Sequence, residues 1–201
     1  MCAMERETFI TNGNINFGII ATGGIAHKFA TQFYKVPGAT LLGVGSRSAD
    51  RAKTFAEEYN IPRYYGSYRE LCMDKDIDAV YIATPHNLHY QNTLTALDEG
   101  KAVLCEKPFA VSEAEGREMV RKAREKNLYI MEAMWALFNP ALNTLLDILH
   151  TGEIGEVQYI YADFGFHAKF DPEHRLFNPH LAGGALLDLG VYTITLIHTI
   201  L

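Results

Sequence analysis

Short apolar runs alternate with helix-like segments along the first two thirds of the chain, and this alternation constrains the fold more than any other feature. The runs cover residues 15–22, 39–45, 63–65, 79–83, 101–105 and 128–131. Apolar strands separated by helices are typical of a parallel sheet that helices cover on both faces. Six strands in this order predict two βαβαβ halves, which is the α/β doubly wound (Rossmann) dinucleotide-binding fold, over residues 15–133.

Helix-start signals support the same division of the chain. Ser67 is followed by Glu70, and Ser112 is followed by Glu115. This spacing is that of a capping box, in which the two side chains satisfy free backbone amides at the start of a helix. We therefore expect helices to begin at both serines, in addition to helices over residues 25–36, 48–59 and 87–99.

The character of the chain changes at about residue 134. Residues 139–150 predict a helix closed by Gly152, residues 156–167 alternate as one long strand, and Gly183 and Gly184 open an apolar helix that runs to Leu201. A lone strand leaves its backbone edges unpaired. Residues 134–201 are therefore predicted to be the start of an incomplete second domain, and residues 1–14 a short N-terminal tail.

Composition and charge narrow the partners. The 201 residues carry a net charge of −6, which argues against nucleic-acid binding. No uninterrupted run reaches the roughly 18 apolar residues of a membrane span, and residues 1–14 lack the apolar core of a signal peptide. Cys2, Cys72 and Cys105 are only three, lie far apart in the sequence and form no C-x-x-C pair, which argues against a disulfide framework and against a zinc site. These features predict a cytoplasmic protein without membrane or nucleic-acid partners and without a bound metal.

A glycine-rich turn follows the first strand. Ala21 occupies the first position of a G-x-G-x-x-G/A pattern, Gly23 the second and Ala26 the third. Small residues here let the backbone approach a pyrophosphate at the positive end of the next helix. Glycines after a strand often form only a turn, but the position after a strand and before a helix favours cofactor binding by Thr22, Gly23, Gly24 and Ile25.

The end of the second strand indicates which dinucleotide binds. NAD enzymes usually carry a carboxylate there for the ribose 2′-hydroxyl, whereas this chain has Ser46 and Arg47. Arg47 can hold a 2′-phosphate by charge-assisted hydrogen bonds. A solvated arginine at a helix start is the alternative, and the position favours NADP over NAD.

Lys107 and Tyr192 form a candidate catalytic pair. Lys107 lies on the turn that leaves the fifth strand, and Asp188 and Tyr192 are four residues apart, which places both on one face of a helix. A lysine and a tyrosine that converge on one hydroxyl group can pass its proton while another group takes a hydride. Without such convergence, Lys107 is a surface lysine and Tyr192 a half-buried aromatic residue.

Several motifs together resemble the glucose–fructose oxidoreductase and inositol dehydrogenase (Gfo/Idh/MocA) family, nearest its dihydrodiol dehydrogenase and aldose dehydrogenase branch. They are the turn 21–26, Ser46-Arg47, residues 84–89 (Thr-Pro-His-Asn-Leu-His), 106–108 (Glu-Lys-Pro), 131–135 (Met-Glu-Ala-Met-Trp) and 183–192 (Gly-Gly-Ala-Leu-Leu-Asp-Leu-Gly-Val-Tyr). Each motif alone is weak, but their joint order and spacing are specific. The resemblance implies an open, mostly antiparallel sheet in the second domain, of which this chain holds only the beginning, and a homodimer or higher oligomer once that domain is complete.

The resemblance also implies roles for individual residues. Lys107 is expected beside the nicotinamide and the substrate hydroxyl, with a cis Lys107–Pro108 bond. Tyr192 is expected to be the acid/base, if a nearby cation such as Lys107 lowers its pKa, and Asp188 to orient the substrate or the base. Many relatives have histidine at the Tyr192 position.

Further residues are expected around the cofactor and the substrate. The family resemblance places Thr84, Pro85, His86, His89, Glu106, Lys107 and Trp135 at the cofactor, and Lys107, Trp135, Arg175, Asp188 and Tyr192 at the substrate. The alternatives are a core position for Trp135 and a structural ion pair for Arg175. Relatives often carry arginine where this chain has Leu137.

The motifs lead to two functional hypotheses. The first is an NADP-dependent oxidoreductase that transfers a hydride between the nicotinamide and a CH–OH carbon of a vicinal diol, sugar or cyclic polyol. The second is a catalytically inactive nucleotide-binding or interaction protein with an incomplete substrate domain. Retention of Lys107, Asp188 and Tyr192 favours the first.

Overall fold

The computed structural model of the chain describes residues 13–201. Most of the predicted N-terminal tail, with Cys2 and the segment tested for a signal peptide, lies outside the described residues. Cys72 and Cys105 are both buried with free thiols.

The first part of the chain forms one six-stranded parallel sheet in the order β3-β2-β1-β4-β5-β6. This is the order of the doubly wound dinucleotide fold, so the predicted fold class is confirmed. The strands are β1 (Ile15–Ile20), β2 (Ala39–Gly45), β3 (Arg63–Tyr65), β4 (Ala79–Ile82), β5 (Ala102–Cys105) and β6 (Ile130–Glu132).

Seven α-helices accompany the strands in the described chain, and the first six lie within a few residues of their predicted positions. They are α1 (Gly24–Phe33), α2 (Ala49–Tyr59), α3 (Tyr68–Met73), α4 (His89–Asp98), α5 (Glu113–Glu125), α6 (Pro140–His150) and α7 (Val191–Ile200). The last helix, expected to open at Gly183 and Gly184, begins as a π-helical turn over Leu186–Gly190 and is α-helical only from Val191. The helix expected from residue 87 begins instead at His89, after a 3₁₀ turn over His86–Leu88.

The capping boxes form as predicted on the serine side. The Ser67 hydroxyl accepts from the Glu70 amide, and the Ser112 hydroxyl accepts from the Glu115 amide. The two glutamates reach one residue further back than expected, because Glu70 accepts from the Gly66 amide and Glu115 from the Val111 amide.

Two apolar cores cover the two faces of the sheet. Ile20 packs with residues of α3, α4 and α5, whereas its neighbour Ile19 packs with Val44 and with residues of α1 and α2. Successive side chains on a strand point to opposite faces, and burial on both sides explains why these strands are apolar throughout.

The prediction of a strand over residues 156–167 is wrong. Residues 156–170 carry no regular secondary structure, and within the described chain no strand follows β6. The alternating pattern is present, but a β-strand forms only where a neighbouring strand satisfies its backbone groups. Of the expected antiparallel sheet, residues 133–201 therefore hold no strand.

The last helical region bears on the expected absence of a membrane partner. Pro179–Ile200, with a mean hydropathy of 1.4, is long and apolar enough to cross a membrane by length and composition alone. A single helix of this kind is weak evidence for a membrane span, and it differs from the buried core helices that meet the same criterion in that little of it is buried here. In this chain the segment contains Asp188, which is buried against charged groups of the sheet domain.

Candidate active site

The candidate site is a cleft of about 600 Å³ at the carboxyl edge of the sheet. Its floor comes from the turns after β1, β4 and β5, and its far wall comes from residues 164–192. The strand order reverses between β1 and β4, and ligands of doubly wound sheets bind at such a switch point. The fold therefore opens this cleft where the glycine turn and Lys107 meet.

The glycine turn leaves room for a ligand. A side-chain carbon built on Gly23 or Gly24 would meet no atom within 4 Å. Both glycines line the cleft with Ile25, and Gly23 is the N-cap of α1, whose first turn carries no acidic residue. Open space before a helix N-terminus without competing carboxylates fits the pyrophosphate of a dinucleotide.

Ala21 adopts a conformation that normally belongs to glycine. Its φ is 86°, in the left-handed region that L-residues rarely occupy, and it is buried. The sequence motif has glycine at this position because the turn needs that conformation. The chain thus keeps the geometry of the turn with an alanine under backbone strain.

Ser46 and Arg47 lie at the end of β2. Ser46 is buried and accepts from the Ser48 amide, whereas Arg47 is exposed. Burial raises the pKa of Tyr68, and the positive charge of Arg47 opposes that rise. The arrangement leaves a cation at the β2 end, where a carboxylate would repel a 2′-phosphate.

Lys107 reaches across the cleft to Asp188. Its Nζ donates to the Asp188 carbonyl oxygen at 2.7 Å and to Asp188 Oδ1 at 2.9 Å. Both side chains are mostly buried, and the Lys107–Pro108 bond is cis, as the resemblance implied. Two of the three ammonium protons are thereby used, which leaves one for another acceptor in the cleft.

Asp188 is held as a carboxylate by two cations. Arg175 also donates to its Oδ1, at 3.2 Å. Burial by itself would raise the pKa of Asp188, but the hydrogen bonds and charges of Lys107 and Arg175 outweigh it and lower the pKa below the usual value. At neutral pH, Asp188 is therefore ionised and fixes the ammonium of Lys107.

Tyr192 completes the wall opposite Lys107. Its hydroxyl accepts from Trp135 Nε1 at 3.0 Å, and the edge of Phe164 meets its ring at a centroid distance of 5.4 Å. Lys107 Nζ lies 5.1 Å from the centre of the same ring. Lys107 and Tyr192 are thus brought together as predicted, with the ammonium facing the ring and the hydroxyl pointing towards Trp135.

His86 lies on the other side of Asp188. Its Nε2 is 3.8 Å from Asp188 Oδ1, and its Nδ1 is 3.4 Å from the Ala182 carbonyl oxygen. Burial, followed by the nearby His89 and Lys107, lowers the pKa of His86 to about 4. The ring is therefore neutral at neutral pH and adds no charge to the site.

His89 does not line the cleft, so the structure does not bring its side chain to the predicted cofactor site. The ring is completely buried, with Nδ1 2.7 Å from the Pro108 carbonyl oxygen and Nε2 2.9 Å from the Thr84 carbonyl oxygen. His89 instead links the turn after β4 to the turn that carries Lys107.

Most other sequence-predicted residues meet in the cleft. Its lining includes Gly23, Gly24, Ile25, Thr84, Pro85, His86, Glu106, Lys107, Trp135, Arg175, Asp188 and Tyr192. Thr22, Ser46 and Arg47 lie outside that lining, along the β1 and β2 ends. The lining residues that sequence reasoning missed are Lys28, Ala83, Phe164, Phe166 and Leu189. Phe164 and Phe166 lie in the segment that was predicted to be a strand. Their alternation was interpreted there as one face of a sheet and not as part of a binding site.

Comparison with protein families gives two matches that together cover most of the chain. Residues 15–134 match the oxidoreductase family model with an NAD-binding Rossmann fold, GFO_IDH_MocA. Residues 142–201 match the GFO/IDH/MocA C-terminal domain.

Among curated proteins, the chain is similar to several dehydrogenases. It is 43% identical to trans-1,2-dihydrobenzene-1,2-diol dehydrogenase of Mus musculus, over 90% of this chain and 54% of that protein. It is 42% identical to D-xylose 1-dehydrogenase (NADP(+)) of Hypocrea jecorina, over 90% of this chain and 51% of that protein. The chain therefore spans about half the length of these relatives.

Solved structures of similar fold include a ketoreductase and an oxidoreductase. The 3-ketoreductase KijD10 from Actinomadura kijaniata, in complex with NADP and TDP-benzene, matches with a TM-score of 0.83 and 34% identity, over 90% of this chain and 56% of that one. An aldose-aldose oxidoreductase from Caulobacter crescentus, complexed with glycerol, matches with a TM-score of 0.86 and 27% identity, over 93% and 57% of the two chains.

Proposed function

The chain belongs to the GFO/IDH/MocA family of oxidoreductases, and we propose that it acts in an NADP-dependent dehydrogenase that oxidises a CH–OH group of a vicinal diol, sugar or cyclic polyol, or reduces the corresponding carbonyl. The observation that carries the proposal is the meeting of Lys107, Asp188 and Tyr192 in the cleft that the glycine turn opens. The relatives named above share this class of chemistry.

The cofactor would be held by the first half of the chain. Gly23, Gly24 and the N-terminus of α1 would receive the pyrophosphate, and Arg47 with Ser46 the adenosine 2′-phosphate. Two of the relatives carry NADP in their names or structure titles, which supports this choice. When bound, the nicotinamide supplies or accepts the hydride.

Lys107 would stabilise negative charge on the reacting oxygen. Two of the ammonium N–H groups of Lys107 donate hydrogen bonds to Asp188, so the third can donate to the substrate oxygen in the cleft. A charged donor held in place before the reaction stabilises a developing alkoxide without reorganisation. Asp188 is thus a positioning group for the ammonium.

Tyr192 would transfer the hydroxyl proton at its Oη. The ring is fixed by Phe164 and by the ammonium of Lys107, and Trp135 Nε1 donates to the Oη. These contacts hold the Oη at one place in the cleft, as a group that accepts or returns a substrate proton requires.

The walls of the cleft indicate the substrate class. Trp135, Phe164 and Phe166 give it an apolar side, whereas Arg175, Asp188 and Lys107 give it a charged side. A small ring with an apolar face and adjacent hydroxyl groups suits both sides, as in a cyclic sugar or a dihydrodiol.

The test is a substrate screen that follows NADPH absorbance with the purified protein and a panel of diols, aldoses and cyclic polyols. We expect turnover with NADP, and a loss of at least about 10³-fold in kcat for Lys107→Met or Tyr192→Phe with NADPH affinity changed less than about threefold. Arg47→Ala should weaken NADPH binding and leave NADH binding unchanged.

Two results would count against the proposal. If Lys107→Met and Tyr192→Phe both turned over substrate at the wild-type rate, neither residue would take part in the reaction. Tight NADPH binding without turnover on any member of the panel would favour the inactive nucleotide-binding protein instead.

A further inference from the structure

The turn that carries Lys107 is held by the side chains of two glutamates. Lys107 and Phe109 each have a backbone N–H, and Pro108 between them has none. The Phe109 amide donates to Glu132 Oε1 at 2.8 Å, and the Lys107 amide lies 3.1 Å from Glu106 Oε2. Both amides of the turn are therefore held by carboxylates.

Glu132 is built into a rigid part of the molecule. It is the last residue of β6, whose backbone pairs with β5 at Cys105. Burial raises the pKa of Glu132, and the hydrogen bond from Phe109 and the charge of Lys107 oppose that rise. A carboxylate that has lost much of its water is stabilised by these same two partners, so its position and the position of the turn are coupled.

Glu106 is occupied elsewhere as well. Its Oε1 accepts from the hydroxyl of Tyr81, which fixes it against β4. Its bond to the Lys107 amide joins adjacent residues and moves with the turn. Glu132, in contrast, reaches the turn from another strand, 23 residues further along the chain.

We propose that Glu132 is a positioning residue of the candidate active site, which fixes the Lys107 ammonium by anchoring the turn at the Phe109 amide. This inference rests on the proposed function for its kinetic consequence. Lys107 spans the cleft to Asp188 with bonds of 2.7 and 2.9 Å, and a shift of its turn would lengthen both. A misplacement of about 1 Å can cost about 10²-fold in rate.

The test compares Glu132→Ala, Glu132→Gln and Glu115→Ala. Alanine removes the acceptor, whereas the glutamine carbonyl can still accept from Phe109. Glu115→Ala is the matched control, because it removes a glutamate that accepts from the Val111 amide, outside the lining of the cleft.

We expect Glu132→Ala to lower kcat about 10²-fold with KM for NADPH within about threefold of wild type, and Glu132→Gln to restore kcat to within about tenfold. Glu115→Ala should keep the wild-type kcat. A Glu132→Ala enzyme with kcat within twofold of wild type would overturn the proposal. So would a glutamine variant as slow as the alanine variant.

A spectroscopic measurement decides the matter even if no substrate is found. In ¹⁵N-labelled protein, Glu132→Ala should speed solvent exchange of the Lys107 ammonium, and Glu115→Ala should not. Unchanged exchange in Glu132→Ala would refute the positioning role. Faster exchange in Glu132→Ala alone, combined with a wild-type protein that turns over no substrate, would refute the proposed function and leave the positioning role standing.

Discussion

The two regions of this chain differ in what holds them together. Among the described residues, every buried hydrophobic side chain lies at or before Met134, and the only buried residue after it is Asp188. Residues 15–134 are stabilised by two apolar cores, whereas residues 135–201 are joined to them by hydrogen bonds of His86, Asn87 and Lys107. In this chain, the candidate site therefore lies where the two regions meet.

Equal truncations in the two regions should therefore have unequal costs. Ile82→Ala removes a completely buried side chain from β4, whereas Ile194→Ala removes one that is 56% exposed on α7. We expect the first to lower the free energy of unfolding by about 3 kcal/mol and the second by less than about 0.5 kcal/mol, as measured by urea denaturation of the 201-residue chain. Similar costs would show that the second region has an apolar core of its own.

Acid should weaken the junction through His86. Its folded pKa of about 4 lies below the unfolded value of 6.5, so the unfolded state takes up a proton first as the pH falls. The contribution of His86 to the free energy of unfolding is therefore fully present above pH 6.5 and is lost as the pH falls towards 4. We expect a loss of about 2 kcal/mol between pH 7 and pH 4.5.

The variant His86→Gln isolates this contribution. Glu106 and Glu132, whose pKa values are raised, act in the opposite direction in this acid range, and they do so in both proteins. Urea denaturation of the wild type and of His86→Gln should be measured at pH 7 and at pH 4.5. The difference between their free energies of unfolding should be smaller by about 2 kcal/mol at pH 4.5. Parallel series would show that His86 is not buried as a neutral ring.

The well-packed region is strained at one point, where it serves the site. Ala21→Gly should relieve the left-handed backbone at a φ of 86° and raise the free energy of unfolding by about 0.5–1 kcal/mol. The matched variant Ala26→Gly, inside α1, should lower it by about 1 kcal/mol. Thermal denaturation of the two variants and of the wild type measures both changes in stability. A lower stability of Ala21→Gly than of the wild type would contradict the strain assigned to Ala21.

Sequence patterns predicted the first region much better than the second. The strands 39–45 and 63–65 and the serine caps at Ser67 and Ser112 were predictable because local chemistry sets them. The predicted strand at 156–167 failed because its formation depends on a partner strand, which periodicity does not encode.

For the candidate site, the sequence predicted which side chains meet but not which residues hold them in place. Spacing placed Asp188 and Tyr192 on one face, and the structure brings both to Lys107. The role of Glu132 depends on which carboxylate reaches the Phe109 amide, and the burial of His89 depends on how two turns pack. Neither the contact of Glu132 with the Phe109 amide nor the packing of the two turns around His89 corresponds to a sequence motif.

The most direct test of the account is a double-mutant cycle across the two regions. If Lys107 and Tyr192 act as one unit, Lys107→Met, Tyr192→Phe and the double variant should lose kcat by similar factors, because either change already disables the site. The account predicts a double variant within about tenfold of the slower single variant. Losses that multiply would show that the two residues act independently and would contradict a site shared between the regions.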